Sequence, residues 1–169
     1  MKKVRTPSQI QATAAARKRG LFVAGIAFVV GVVMLLLSNY FLQLHCVMAA
    51  AVALAGGIAA ARAAMPIDRE SARSAGVIGG VYATVAYALP FMVFNFVQFN
   101  AVTTQTVGQR ISQLAPEQIA QIEQNNIQLG VDFFKGQDIA YLFGYLLFAL
   151  MFGAVFGLAG AVLVKRQMA

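Results

Sequence analysis

Tryptophan is absent from this chain, cysteine and histidine occur once each, and charged residues make up 11% of its 169 positions. Each scarcity excludes something. With Cys46 alone, no internal disulfide can form, and the redox compartment is not readable. With His45 alone, neither a haem held by two histidines nor an H-E-x-x-H zinc motif is available. No glycine-rich phosphate loop is present: the pairs Gly56-Gly57 and Gly79-Gly80 sit in apolar runs with no lysine beside them. Soluble domains carry about 25% charged residues, and the deficit here is explained if most of the chain faces lipid or other buried helices.

What the chain has instead is length without charge. It is 60% apolar, with a mean hydropathy of +0.72, and its length allows one domain. Ile139–Val164 holds no charged residue; Asp138 precedes it and Lys165-Arg166 follow it. At about 1.5 Å per residue it can cross a hydrocarbon core of roughly 30 Å. Three further runs have this character, so the expected spans are 21–42, 44–64, 75–99 and 139–164. The break between the first two, Ser38-Asn39-Tyr40, is short enough to require an antiparallel hairpin. Pro66 stops the second helix before the charged loop Asp68–Arg73, and Pro90 interrupts the third span, where its missing amide is expected to kink the helix. Small residues recur every fourth position on three spans, with Ala53 and Gly57, Gly76 and Gly80, Gly153 and Gly157 as the helix-packing candidates. Such stripes suit close packing inside one chain or a surface for a partner.

Residues 1–20 form a basic segment carrying Lys2, Lys3, Arg5, Arg17, Lys18 and Arg19 and no acid. Thr6-Pro7-Ser8-Gln9 reads as a helix start with a capping box. The charged region is long and Ala24–Val33 offers no small-x-small cleavage site, so the first helix is expected to remain uncleaved. Residues 21–169 then make up the four-helix transmembrane domain. Its one sizeable polar segment, 100–137, reads as a loop followed by an amphipathic helix opened by Pro116-Glu117 and closed by Gly130, lying on the membrane surface.

Charge placement orients the chain. With the N-terminus inside, eleven basic residues fall on inner segments and two, Arg110 and Lys135, on outer ones, together with the acids Glu117, Glu123, Asp132 and Asp138. That asymmetry matches the positive-inside tendency and places both termini in the cytoplasm. It also accounts for a pI near 10 without invoking nucleic acid. Arg17, Lys18 and Arg19 are the candidates for contact with anionic lipid, each basic residue near such a surface being worth about 1 kcal/mol.

No Asp, Glu or Lys lies in the middle of a span, so neither intramembrane catalysis nor ion-coupled transport has its usual signature. No catalytic residue, metal site or cofactor is expected. His45-Cys46 at the outer start of the second span would need ligands from a partner to hold a metal. Asn95, Gln98 and Asn100 can rim a small outer cavity for a lipid head group or quinone.

The basic start, the charged loop after the second span, the Gln/Glu-rich segment Pro116–Gly130 and the basic end of the last span together resemble the layout of small four-helix bacterial inner-membrane proteins of unknown function. The resemblance covers the whole chain in arrangement. It implies the inner membrane and transfers no functional residue. The expectation is therefore an all-α, polytopic, non-catalytic membrane protein that packs as a homo-oligomer or as an accessory subunit of a larger complex. The alternative is a small transporter or channel subunit, or a lipid- or quinone-binding membrane protein.

Overall fold

A computed structural model describes residues 5–37, 42–125 and 127–167, excluding the side chains of residues 42 and 43. Lys2, Lys3 and the Ser38-Asn39-Tyr40 break lie outside the described residues. Every described element is helical: α1 (Pro7–Leu36), α2 (Leu42–Ala64), α3 (Ser71–Ala101), α4 (Thr104–Ser112), α5 (Pro116–Gln124) and α6 (Val131–Gln167). Four of these, α1, α2, α3 and α6, are long and apolar enough to cross a membrane. The chain divides into two compact units, Met1–Phe91 with Leu146–Ala169, and Met92–Tyr145.

In the first unit the helix starts and packing follow from local chemistry. Thr6 caps α1, accepting from the Gln9 amide at 3.4 Å, while its own amide donates to Gln9 Oε1 at 3.1 Å. This is the reciprocal arrangement that the residue order predicts. α1 and α2 pack along each other. The small-residue stripes form the joints. A β-carbon on Gly57 of α2 would fall 2.5 Å from the Gly157 carbonyl oxygen of α6, and one on Gly76 of α3 would fall 2.5 Å from Cβ of Ala161. On Gly80 it would strike the Gly153 carbonyl and lie 2.5 Å from Gly157 Cα. Gly79 of α3 would meet Gly56 and Ala60 of α2, and Gly20 of α1 lies over Gly79. Ala53, the remaining member of the expected set, is fully buried. α3 thus touches all three other long helices, and it is the most buried of the four.

Size is distributed in the reverse of a soluble fold. The buried positions are dominated by Ala and Gly, whereas Phe22 (67% exposed), Leu36 (81%) and Val155 (63%) point outward with many other large apolar side chains. Soluble monomers rarely expose a contiguous apolar surface beyond a few hundred Å². Small residues at the joints and bulky ones outside are what helices need when the surroundings are themselves apolar. α3 runs through Pro90 as one helix, with Pro90 buried. A β-carbon on Gly31 of α1 would strike the Tyr87 carbonyl and lie 3.3 Å from Cγ of Pro90, so α1 closes over this turn.

The second unit departs from the expected loop and single helix. Residues 104–112 form α4, started by Thr103, whose hydroxyl accepts from the Thr106 amide at 3.4 Å while the Thr103 amide donates to Thr106 Oγ1 at 2.9 Å. α5 opens at Pro116 as expected but ends at Gln124 rather than Gly130. There the Asn125 side-chain amide donates to the Gln121 carbonyl at 2.7 Å, a local bond that competes with helix continuation. α6 begins at Val131, eight residues before the charge-free run, with Asp132 in its first turn, where a carboxylate favours the helix dipole. Neither α4 nor α5 buries a residue completely.

Candidate functional site

The basic segments of the first unit converge. A single apolar cluster joins Ala12 and Ala16 of α1, Ala61 and Ala64 of α2, Ala72 and Ala75 of α3, and Ala161 and Val164 of α6. The chain segments flanking this cluster carry Arg5, Arg17, Lys18, Arg19, Arg62, Arg69, Arg73, Lys165 and Arg166, against two acids, Asp68 and Glu70. Alanine explains the convergence: with one methyl group per residue, the four helix ends approach closely and bring their flanking charges into one region. Arg62 donates to Gln167 Oε1 at 2.8 Å, tying the end of α2 to the end of α6.

A cavity of about 700 Å³ opens in this region, lined by Met65, Pro66, Arg69, Glu70, Ala72, Arg73, Ala161 and Lys165. Its floor is apolar and buried, with Met65 8% and Ala72 and Ala161 each 1% exposed. Its rim is cationic and open. The α2–α3 turn that presents Arg69 is organised by Asp68, which accepts from the Glu70 amide at 3.0 Å and from the Ser71 hydroxyl at 2.5 Å. The Ser71 hydroxyl bond, more than the backbone bonds beside it, holds the Asp68 carboxyl below the usual aspartate range. A second, shallower groove of about 460 Å³ runs along α1, where Arg5, Arg17 and Lys18 stand beside Ile10, Ala14 and Leu21. Arg17, Lys18 and Arg19 are all exposed.

Toward the other end of the same unit, His45 Nδ1 lies 3.1 Å from Tyr87 Oη, and the His45 ring meets Phe91 edge-on at 5.0 Å. Cys46 is exposed with a free thiol. Among the described residues, no three of His, Cys, Asp and Glu come close enough together to hold a metal ion.

In the second unit, Arg110 of α4 donates to Asp138 Oδ2 of α6 at 2.9 Å, to Gln98 Oε1 of α3 at 2.9 Å, and to the Gln98 carbonyl at 3.4 Å. Its guanidinium stands 5.5 Å from the centre of the Phe134 ring, which is 2% exposed. Asp138 is 6% exposed. Gln98, expected at the rim of an outer cavity, is thus committed to Arg110. Asn100 donates to the Phe96 carbonyl at 2.8 Å within its own helix, and Asn95 is engaged as well.

Two arrangements escaped sequence reasoning. In sequence, Arg110 is one of two outer bases and Asp138 the charge that bounds a span, and nothing pairs them. Arg69, Arg73 and Lys165 lie on two inner segments, and nothing in their order brings them to one opening. Comparison with protein-family models, with curated proteins and with solved structures finds no match.

Proposed function

We propose that the chain is a non-catalytic multi-pass protein of the cell inner membrane. Its termini are cytoplasmic, segment 100–137 lies outside with α4 and α5 near the membrane surface, and its basic end engages anionic lipid. In this reading it serves as an accessory subunit of a membrane assembly. The observation that carries it is the gathering of the basic segments around one alanine cluster. Among the described residues, the segments whose charges the positive-inside tendency assigns to one side of the membrane all flank this cluster, with two acids among them and four in the second unit.

The glycine joints between α2, α3 and α6 support an accessory role over self-association through the stripes. Those faces already close on one another within the chain, which leaves the bulky outer faces for lipid and partners. A reporter fused after Ala169 is expected to be cytoplasmic and one inserted near Gln124 external; the opposite pattern overturns the orientation. Purification from native membranes in mild detergent is expected to recover other membrane subunits in fixed proportion. Recovery of a lone monomer in every mild detergent overturns the accessory role.

A further inference from the structure

We infer that the cavity between the α2–α3 turn and the end of α6 is a binding site for the phosphate of an anionic phospholipid. The inference rests on the reading that this end faces the membrane's anionic leaflet, and it names the ligand class of that end.

Three cations on its rim, Arg69, Arg73 and Lys165, are free of any ion pair or side-chain hydrogen bond among the described residues. They come from two separate segments of the chain and face a space of about 700 Å³, within the range of small-molecule sites. Glu70 is the only acid among the lining residues, so the cavity keeps a net positive charge. Arginine forks match the paired oxygens of a phosphate, and lysine adds a point charge. Ordinary surface cations would need nothing below them. Here the floor is Met65, Ala72 and Ala161, apolar, buried and continuous with the helix-end cluster.

A rim of phosphate-binding cations over an apolar floor suits a molecule that is anionic at one end and hydrocarbon at the other. A soluble phosphate ester would gain from the rim and nothing from the floor. The groove along α1 differs: its cations lie on one helix only, as on a surface that attracts anionic lipid without selecting it.

The test uses the full-length protein, stripped of lipid in detergent and titrated in mixed micelles. Bound lipid is counted by native mass spectrometry and stability by thermal melting. Phosphatidylglycerol is expected to bind at unit stoichiometry and raise the melting temperature; phosphatidylcholine, inorganic phosphate and glycerol 3-phosphate at equal concentration are not. The triple variant R69Q/R73Q/K165Q is expected to weaken phosphatidylglycerol binding by about a hundredfold, at roughly fivefold per cation. K135Q, which removes a cation of the second unit, is expected to bind within about twofold of the parent. R69K/R73K keeps the charge and is expected to retain most of the affinity.

A loss in K135Q as large as that in R69Q/R73Q/K165Q, or unchanged binding by R69Q/R73Q/K165Q, would overturn the site. So would stabilisation by inorganic phosphate or glycerol 3-phosphate matching that by the lipid, or a loss in R69K/R73K as large as that in the glutamine variant. Micelles have no sides. Selective binding together with reversed topology reporters would therefore refute the orientation and keep the site. Expected reporters without selective binding would refute the site alone.

Discussion

Replacing Gly157 with alanine tests whether the small-residue stripes are joints within one chain. The added β-carbon would stand 2.6 Å from the Gly76 carbonyl oxygen, 3.0 Å from Gly80 Cα and 3.2 Å from the Val77 carbonyl oxygen, all backbone atoms of α3. None is the movable end of a side chain, so α6 and α3 must part by about 0.8 Å to restore ordinary contact. A gap of that size forfeits a quarter to a half of each affected dispersion contact, at about 0.1–0.2 kcal/mol per atom pair. Spread along this joint, the loss reaches the roughly 1–3 kcal/mol typical of overpacking. Alanine's better helix propensity returns up to about 1 kcal/mol. Gly144, also in α6, is the control, since a β-carbon there meets nothing within 4 Å and only the propensity gain remains. Gly157→Ala is therefore expected to melt below Gly144→Ala by about 1–3 kcal/mol, on the order of 5 °C for a chain of this size. Thermal circular dichroism in mild detergent at two protein concentrations reads the difference. If Gly157→Ala melts level with or above Gly144→Ala, the joint is not where the stability lies. If the loss appears at only one concentration, the contact is between chains.

Arg110→Gln removes the cation from Asp138, which is 6% exposed, and is expected to cost about 3 kcal/mol and to expose α4 to added protease. Asp138→Asn on the same chain is expected to restore part of the loss, because it removes the stranded charge; cleavage at the parental rate in Arg110→Gln would show the pair to be idle. The lowered Asp68 carboxyl contributes stability that is present above the ordinary aspartate value of about 3.9 and is lost as pH falls through the lower folded value. Ser71→Ala is expected to move the Asp68 titration upward toward that ordinary value, to lower stability above about pH 4 and to make its acid limb shallower. A carboxyl titration by NMR checks the shift, and an unmoved midpoint would refute the role of the hydroxyl.

How much of this was legible in the sequence depended on the range of the interaction. The long helices follow from runs of apolar residues between charges, and the start of α1 from four consecutive residues, Thr6 to Gln9. The buried face of α3 follows from the spacing of Ala72, Gly76, Gly80, Thr84 and Ala88, all of which are buried. α4 was not legible because Thr104–Ser112 has only Val107 and Ile111 as large apolar residues and a threonine pair where a Ser/Thr…Glu/Gln capping pattern is usually sought. The first turns of α6 are not legible because hydropathy registers only the charge-free run from Ile139, whereas Asp132 and the Arg110–Asp138 contact favour helix from Val131. The cavity rim was not legible at all: Arg69 and Lys165 are far apart in sequence, and only the meeting of four alanine-rich helix ends brings them to one opening.

The same stripes leave a problem that polar groups solve. A glycine or alanine every fourth residue presents nearly the same surface after a slip of one turn, about 5.4 Å, so small side chains alone specify approach but not register. A mark that does not repeat is required. Thr84 supplies it by standing where the α3 stripe would otherwise hold another small apolar residue. Its hydroxyl donates to the Ala149 carbonyl of α6 at 2.7 Å and to its own helix at the Gly80 carbonyl at 2.9 Å. One side of that contact is unique on α3 and the other is a single carbonyl on α6, so a slipped pairing loses the interhelical bond. Tyr87, one turn further on, fixes α2 through the only histidine in the chain. Such bonds are worth only about 0.6 kcal/mol each between membrane helices. That is small against the packing of the whole bundle, but slipped registers that pack equally well differ by little else. Thr84 in the first unit, 1% exposed, and Asp138 in the second, 6% exposed, are the buried polar side chains of these two units besides tyrosine, among the described residues. Each sits where one helix must find a single position on another.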